Sequence, residues 1–246
     1  MSQRIVVKVG TSTLTNTHGG IDRAFIADMT AQLATLRQQG NEVILVSSGA
    51  IRAGREVLEN HRWTKQGSGF RNTQHRTADT QHPTPNTYGQ PNTQNPEEDS
   101  LPFKQAAAAI GQGLLIHTYT EAFAWREVHC AQVLLTRDDL QDNRRIENAK
   151  NTLQTLLSLG VIPIINENDT VAVEEIKFGD NDNLAALVAI LVKADLLLIL
   201  SDVEGLYEKK PVENEEVPPI ISCVSHPSSS LLKLPSSCFA NITGLV

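Results

Sequence analysis

Four short apolar runs, each closing in a cluster of small or polar residues, restrict the possible folds of this chain more than any other feature. They are residues 4–9 (RIVVKV, followed by GTS), 42–46 (EVILV, followed by SSGA), 161–165 (VIPII, followed by NEND) and 196–200 (LLLIL, followed by SDVEG). Continuous β-branched and aliphatic runs of this length suit strands covered on both faces, as in parallel sheets. A fifth strand is predicted over residues 129–136. Helical periods lie between the runs. Ile26, Met29, Leu33 and Leu36 recur at three- and four-residue steps ahead of Gly40, and Leu153, Leu156 and Leu157 mark the inner face of a helix that Gly160 ends. Residues 104–123, opening KQAAAAIGQ, and 184–192 complete the helical segments. Strands alternating with helices predict an α/β chain, a three-layer αβα sandwich with a mainly parallel central sheet.

Composition narrows the partners. The chain is 40% apolar with a net charge of −7 and no Lys/Arg-rich face, so no nucleic acid is expected as a partner. The run at 184–200 is interrupted by Lys193 and Asp195 and is too polar at its centre to span a bilayer, and the N-terminus lacks the apolar core of a signal peptide. No membrane association is therefore expected. Cys130, Cys223 and Cys238 are odd in number and fall in no metal-ligand spacing, which fits a reducing, cytoplasmic setting and predicts no metal site.

Parallel strands place their carboxyl ends on one edge, and ligands of open α/β sheets bind there. Four polar clusters share that predicted edge: residues 8–12 with Lys8, residues 47–50, residues 166–169 and residues 201–205. A second dense group, residues 179–183 (GDNDN), follows the third of them. A lysine, glycine-rich turns and aspartates that organise them are the parts of a phosphoryl-transfer site, where positioning and charge neutralisation carry most of the catalysis. The chain has no G-x-x-x-x-G-K-[ST] loop and no H-R-D or D-F-G motif. Taken singly, each cluster has a plainer explanation. Asp169 and Asp182 suit helix N-caps, and Asn166, Asn168 and Asn181 suit turns.

Taken together, VVKVGTSTLT, ILVSSGAIRAGRE, KQAAAAIGQ, QVLLTRDDLQD, VIPIINENDTVAVEEIKFGDNDNLAALVA and ADLLLILSDVEGLY resemble, in order, the glutamate 5-kinases of the amino-acid kinase family. The resemblance covers most of residues 4–207, and the INEND and GDNDNL pair is its most specific part. It implies ATP-dependent phosphorylation of the L-glutamate side-chain carboxylate to L-glutamyl 5-phosphate, the first step of proline biosynthesis. It also implies Mg2+ carried with the nucleotide and a homo-oligomeric assembly.

Position by position, the resemblance makes Lys8 the residue that contacts the transferring phosphate, and Asp182 the one that orients Lys8. Ser48, Asp169 and Asn181 would bind glutamate, with Gly49 and Ala50 shaping the wall and Asp180 assisting. Gly10, Ser201 and Asp202 would lie with Lys8 against the nucleotide. An amide and a backbone nest suit a carboxylate, while carboxylates suit the substrate ammonium. Two alternatives stay open: another amino-acid kinase, acting on N-acetylglutamate or aspartate, and a catalytically inactive or truncated glutamate-binding or subunit-interaction module.

Two stretches depart from the family pattern. Residues 61–100 contain no Ile, Leu, Val or Met, so a disordered or loose surface insert is expected over about 61–102, with His61, His75 and His82 solvated. Residues 212–246 form a Pro- and Ser-rich tail without a Gly-Thr-Gly-Gly segment, and Lys233 is no replacement for the lysine that follows it in the family. The expected organisation is an amino-acid kinase domain at 1–211, incomplete at its C-terminal side and without a visible PUA domain, followed by that tail.

Overall fold

A computed structural model of the chain describes residues 2–16, 20–67, 100–172, 181–200, 206–207 and 220–221. The apolar runs form β1 (Arg4–Val9), β2 (Glu42–Ser47), β3 (Cys130–Leu135), β4 (Ile162–Glu167) and β5 (Leu196–Leu200). They assemble into one sheet in the order β3-β4-β2-β1-β5, every neighbouring pair parallel. Between β1 and β2 come the single turn α1 (Thr11–Leu14) and α2 (Arg23–Gln38). The helices α3 (Ala50–Gly67) and α4 (Leu101–Ala124) join β2 to β3, α5 (Asn143–Ser158) joins β3 to β4, and α6 (Asn181–Val192) joins β4 to β5.

Side chains alternate across a strand, so each run divides its residues between two cores. Ile5, Val7, Val9, Val43, Leu45, Ile162 and Ile164 pack against Ile26, Met29 and Leu33 of α2 and Leu115, Tyr119 and Phe123 of α4. Val6, Ile44, Val46 and Ile165 face the other way, onto Leu153 and Leu157 of α5 and Leu184, Val188 and Val192 of α6. The result is the expected three-layer sandwich. Central β2 has no exposure from Val43 to Val46, whereas all five residues of edge strand β5 are only half-buried.

Local signals set the helix ends. Asp22 accepts a hydrogen bond from Phe25 N–H, and Asp142 accepts from Arg144 and Arg145 N–H, so each satisfies donors at a helix start. Gly40 (φ +91°) and Gly160 (φ +76°) stop α2 and α5 in the left-handed conformation that glycine tolerates. Two boundaries differ from the sequence expectation. The helix α3 runs on to Gly67, into the stretch assigned to the insert, and α4 begins at Leu101 because Ser100 caps it and Pro102 stands in its first turn. The remaining insert residues, 68–99, lie outside the described residues. Across the boundary at 211, β6 (Leu206–Tyr207) pairs antiparallel with β7 (Ile220–Ile221).

The helices α3 and α4 pack almost backbone to backbone. A Cβ built on Gly54 would stand 1.8 Å from the Ala107 carbonyl oxygen, and one on Gly111 1.8 Å from that of Ala50. Neither obstacle is a movable side chain, so one helix must shift. Gly54→Ala is therefore expected to destabilise the fold by about 3 kcal/mol, the upper part of the overpacking range. Urea unfolding measures this, and a change below about 0.5 kcal/mol, the scale of an ordinary surface substitution, would contradict the contact.

Candidate functional site

The carboxyl ends of β1, β2, β4 and β5 lie on one edge of the sheet, as parallel pairing requires. Lys8 is the penultimate residue of β1, on the face that carries Val6, and therefore points toward the layer of α5 and α6. It meets the first turn of α6. Lys8 Nζ stands 2.5 Å from Asp182 Oδ1, and both residues are buried, with exposures of 5% and 6%. A lysine this deep is stable as a cation only beside an anion, and Asp182 supplies it. Gly10 turns the chain directly over this pair: a Cβ there would lie 3.5 Å from Lys8 Nζ and 3.8 Å from the Leu200 carbonyl oxygen, at the end of β5.

Beside the ion pair opens a cavity of about 340 Å³. Its lining includes Ser48, Gly49, Ala50, Asp169 and Asn181 from the sequence prediction, together with Thr11, Ile51, Arg52, Arg55, Asn166 and Glu167. Asn181 starts α6 and Asp182 follows it, so cavity and ion pair share one helix terminus. Gly49 has φ +96°, a conformation that lets the chain leave β2 and enter α3 at once. Asp180, Ser201 and Asp202 lie outside the described residues.

Behind the cavity wall runs a buried polar network. Asn181 Nδ2 donates to the Ser47 carbonyl, Ser48 Oγ and Asn166 Oδ1, each at 2.9 Å. Asn166 Oδ1 also accepts from Glu167 N–H, and Asn166 Nδ2 donates to Gln112 Oε1 of α4 at 2.8 Å. Ser47 Oγ–H donates to the Ser48 carbonyl, which leaves the Tyr119 hydroxyl to donate to Ser47 Oγ at 2.9 Å. Complete burial pushes the Tyr119 phenol far above its usual range, so it stays protonated and available as the donor to Ser47.

Gln112, Tyr119, Arg52 and Arg55 were not singled out from the sequence. The two arginines had a usable signal. They are three residues apart on a helix that begins at the β2 edge, which puts both on one face near the site. Arg55 is steadied by the Phe103 ring of α4, with its guanidinium carbon 5.8 Å from the ring centroid.

Glu167 also borders a second recess of about 170 Å³, lined by Thr136, Arg137, Asp138, Arg145, Val171 and Ala172. Asp139 organises its rim. Partial burial works to raise the carboxyl pKa, but hydrogen bonds from Thr136 N–H and Oγ–H and the Arg145 guanidinium outweigh it and hold the group below the ordinary carboxylate range. Among the described residues no helix is long and apolar enough to cross a membrane, and no three His, Cys, Asp or Glu side chains converge to hold a metal ion.

Comparison with known proteins gives a consistent result. The model of the amino acid kinase family matches residues 3–228. The glutamate 5-kinase of Geobacter sp. (strain M21) is 47% identical over 209 residues, which are 85% of this chain and 47% of that protein. That of Streptococcus sanguinis (strain SK36) is 46% identical over 215 residues, 87% of this chain and 49% of that protein. The chain thus spans about half the length of the curated relatives it matches. A crystal structure of UMP kinase from Ureaplasma parvum matches 85% of this chain and 73% of its own with a TM-score of 0.50. At 14% identity, that likeness concerns the fold alone.

Proposed function

The chain belongs to the amino acid kinase family, and on that footing we propose that it transfers the γ-phosphoryl group of ATP to the side-chain carboxylate of L-glutamate, yielding L-glutamyl 5-phosphate and ADP, the reaction that opens proline biosynthesis. The observation that carries the reading is the shared terminus of α6, where a polar cavity and a buried Lys8–Asp182 pair adjoin. The chemistry suits such a site. A carboxylate is already ionised at neutral pH, so its oxygen attacks phosphorus without a general base, while the bond to the ADP oxygen breaks. The remaining task is to align two anions and offset their charge. Lys8, fixed by Asp182, supplies a positive charge at the β1 edge, and Gly10 turns the backbone beside it.

Within the cavity, Ser48, Gly49, Ala50, Asp169 and Asn181 form the glutamate wall, and Arg52 and Arg55 provide positive charge for the substrate carboxylate that does not react. Asp180 assists on the glutamate side, and Ser201 and Asp202 contact the nucleotide. Mg2+ is assigned to the ATP phosphates, where it neutralises the charge of the transferring group.

Calorimetric titration of the chain with L-glutamate and, separately, with Mg-ATP tests the reading, alongside an ADP-release assay over L-glutamate, N-acetyl-L-glutamate and L-aspartate. Binding of both ligands with ADP release that prefers L-glutamate is the expected result. Preference for either other acid overturns the substrate assignment. Binding of L-glutamate without Mg-ATP binding or turnover identifies a glutamate-binding module instead.

A further inference from the structure

The edge of a sheet leaves a row of backbone N–H and C=O groups to be paired, and folds usually blunt such edges with lysine, proline or other charged residues. The edge strand β3, CAQVLL, carries no charged residue and no proline. On its inner side the His129 and Leu135 carbonyls accept from Ile162 and Asn168 N–H. Odd-numbered residues of β3 therefore turn their backbone groups toward β4, and Cys130, Gln132 and Leu134 turn theirs outward. Alongside this edge runs α4. Thr120 Oγ1 lies 3.7 Å from Cys130 Sγ, and the helical row through Thr120, at three- and four-residue steps, consists of Ala109, Gly113 and Ile116, all uncharged. A Cβ on Gly113 would meet nothing within 4 Å. Among the described residues, strand and helix flank thus form one uncharged surface with an open hydrogen-bonding margin.

The geometry points to a second copy of this chain as the occupant, with its β3 antiparallel to the first about a two-fold axis through Gln132, so that one sheet runs through both copies. The register follows from parity. A hydrogen-bonded antiparallel pair needs two residues whose backbone groups both face the partner, so even-numbered residues must oppose even-numbered ones and the axis falls on a residue. Centred on Gln132, it pairs Gln132 with itself and Cys130 with Leu134 on both sides, which engages every outward group of the strand. An axis on Ala131 or Val133 leaves Leu134 or Cys130, respectively, without a strand partner. Charge agrees with the same register. Glu127 and Arg137 lie five residues either side of Gln132, and Arg126 and Asp138 six. The two-fold operation therefore sets Glu127 against Arg137 of the second copy, and Arg126 against its Asp138. All four residues are exposed, and no ion pair engages them among the described residues. Gln132, the exposed residue of β3, meets its own copy on the axis, where a carboxamide that both donates and accepts complements itself. The contact is independent of the substrate assigned to the cavity.

Sedimentation velocity of the full chain across the micromolar range tests this. Wild type is expected to sediment with the mass of two chains or a multiple of it. Gln132→Lys sets two ammonium groups face to face on the axis, and is expected to weaken the contact by about 100-fold and halve that mass. Glu127→Arg and Arg137→Glu each set like charges across the interface, twice per dimer, and are expected to weaken it by about 10-fold. Combined, they restore opposite charges and return the affinity to within about threefold of wild type. Far-UV circular dichroism reports folding, which substitutions at these exposed positions leave unchanged. A wild-type chain that stays monomeric throughout, an assembly that Gln132→Lys leaves intact, single charge reversals without effect, or a double variant as weak as either single one overturns the proposal.

Discussion

Replacing Asp182 with Asn is expected to lower kcat for L-glutamate phosphorylation by about 10²–10³-fold, the loss typical of removing one preorganised electrostatic group, with little change in KM for glutamate. The asymmetry follows from position. Asp182 is buried against Lys8 and is not among the residues lining the cavity, so the bound amino acid barely senses the substitution. The transferring phosphoryl group senses it strongly, because Lys8 loses the anion that fixes its place. Lys8→Met is expected to fall as far in kcat. Both single substitutions also leave one buried charge without its partner, at a cost of about 3–5 kcal/mol in stability. The double replacement Lys8→Met/Asp182→Leu removes both charges and is expected to be more stable than either single variant while remaining inactive. Steady-state kinetics with urea unfolding of the same preparations separates the two effects. A kcat within threefold of wild type in Asp182→Asn would remove the pair from the catalytic machinery.

Asn181→Asp should be nearly as severe for a different reason. The substitution keeps shape but puts an oxygen where the nitrogen donates to the Ser47 carbonyl, Ser48 Oγ and Asn166 Oδ1. An ionised carboxylate there opposes two acceptors that cannot turn into donors. The expected cost is about 3 kcal/mol of stability, the scale of unsatisfied buried polar groups, with a loss of L-glutamate affinity of about 100-fold as the network behind the cavity gives way. The surroundings favour the protonated carboxyl, which can donate one hydrogen bond, so the substituted group has a raised pKa. The defect is therefore present at neutral pH and shrinks as the pH falls through that raised value. Affinity equal to wild type at neutral pH would show that the three contacts do not shape the site.

Much of this architecture was legible in advance, since periodicity is a local property. A run such as residues 42–46 has a strand's composition whatever surrounds it, and the steps from Ile26 to Leu36 draw a helix face without reference to any partner. The boundaries that shifted were those where a terminal signal competed with composition. Ser100 and Pro102 begin α4 ahead of its alanine run, and α3 carries helix into a stretch too poor in aliphatic residues to predict packing. At the site, Lys8, Gly10, Ser48, Gly49, Ala50, Asp169, Asn181 and Asp182 were all named from the sequence, and the fold brings them to one edge of the sheet. The residues that escaped notice have ordinary sequence surroundings. Gln112 stands in an alanine-rich helix and Tyr119 on an apolar face, and neither differs there from a core or surface residue.

The sequence by itself determined the elements, their alternation and the rim on which the polar clusters gather. These follow from side-chain periods of two and 3.6 residues and from the common direction of parallel strands. Only the tertiary structure decided which of those residues meet. The order β3-β4-β2-β1-β5 brings the α6 terminus to Lys8 and sets α4 behind β4, so Asp182 reaches a lysine at the other end of the chain and Gln112 reaches Asn166. The same packing chose which end of the Asn181 amide meets the Ser47 carbonyl. An amide carries donor and acceptor alike, and the neighbours it folds against, here a carbonyl that can only accept and an N–H that can only donate, settle the difference.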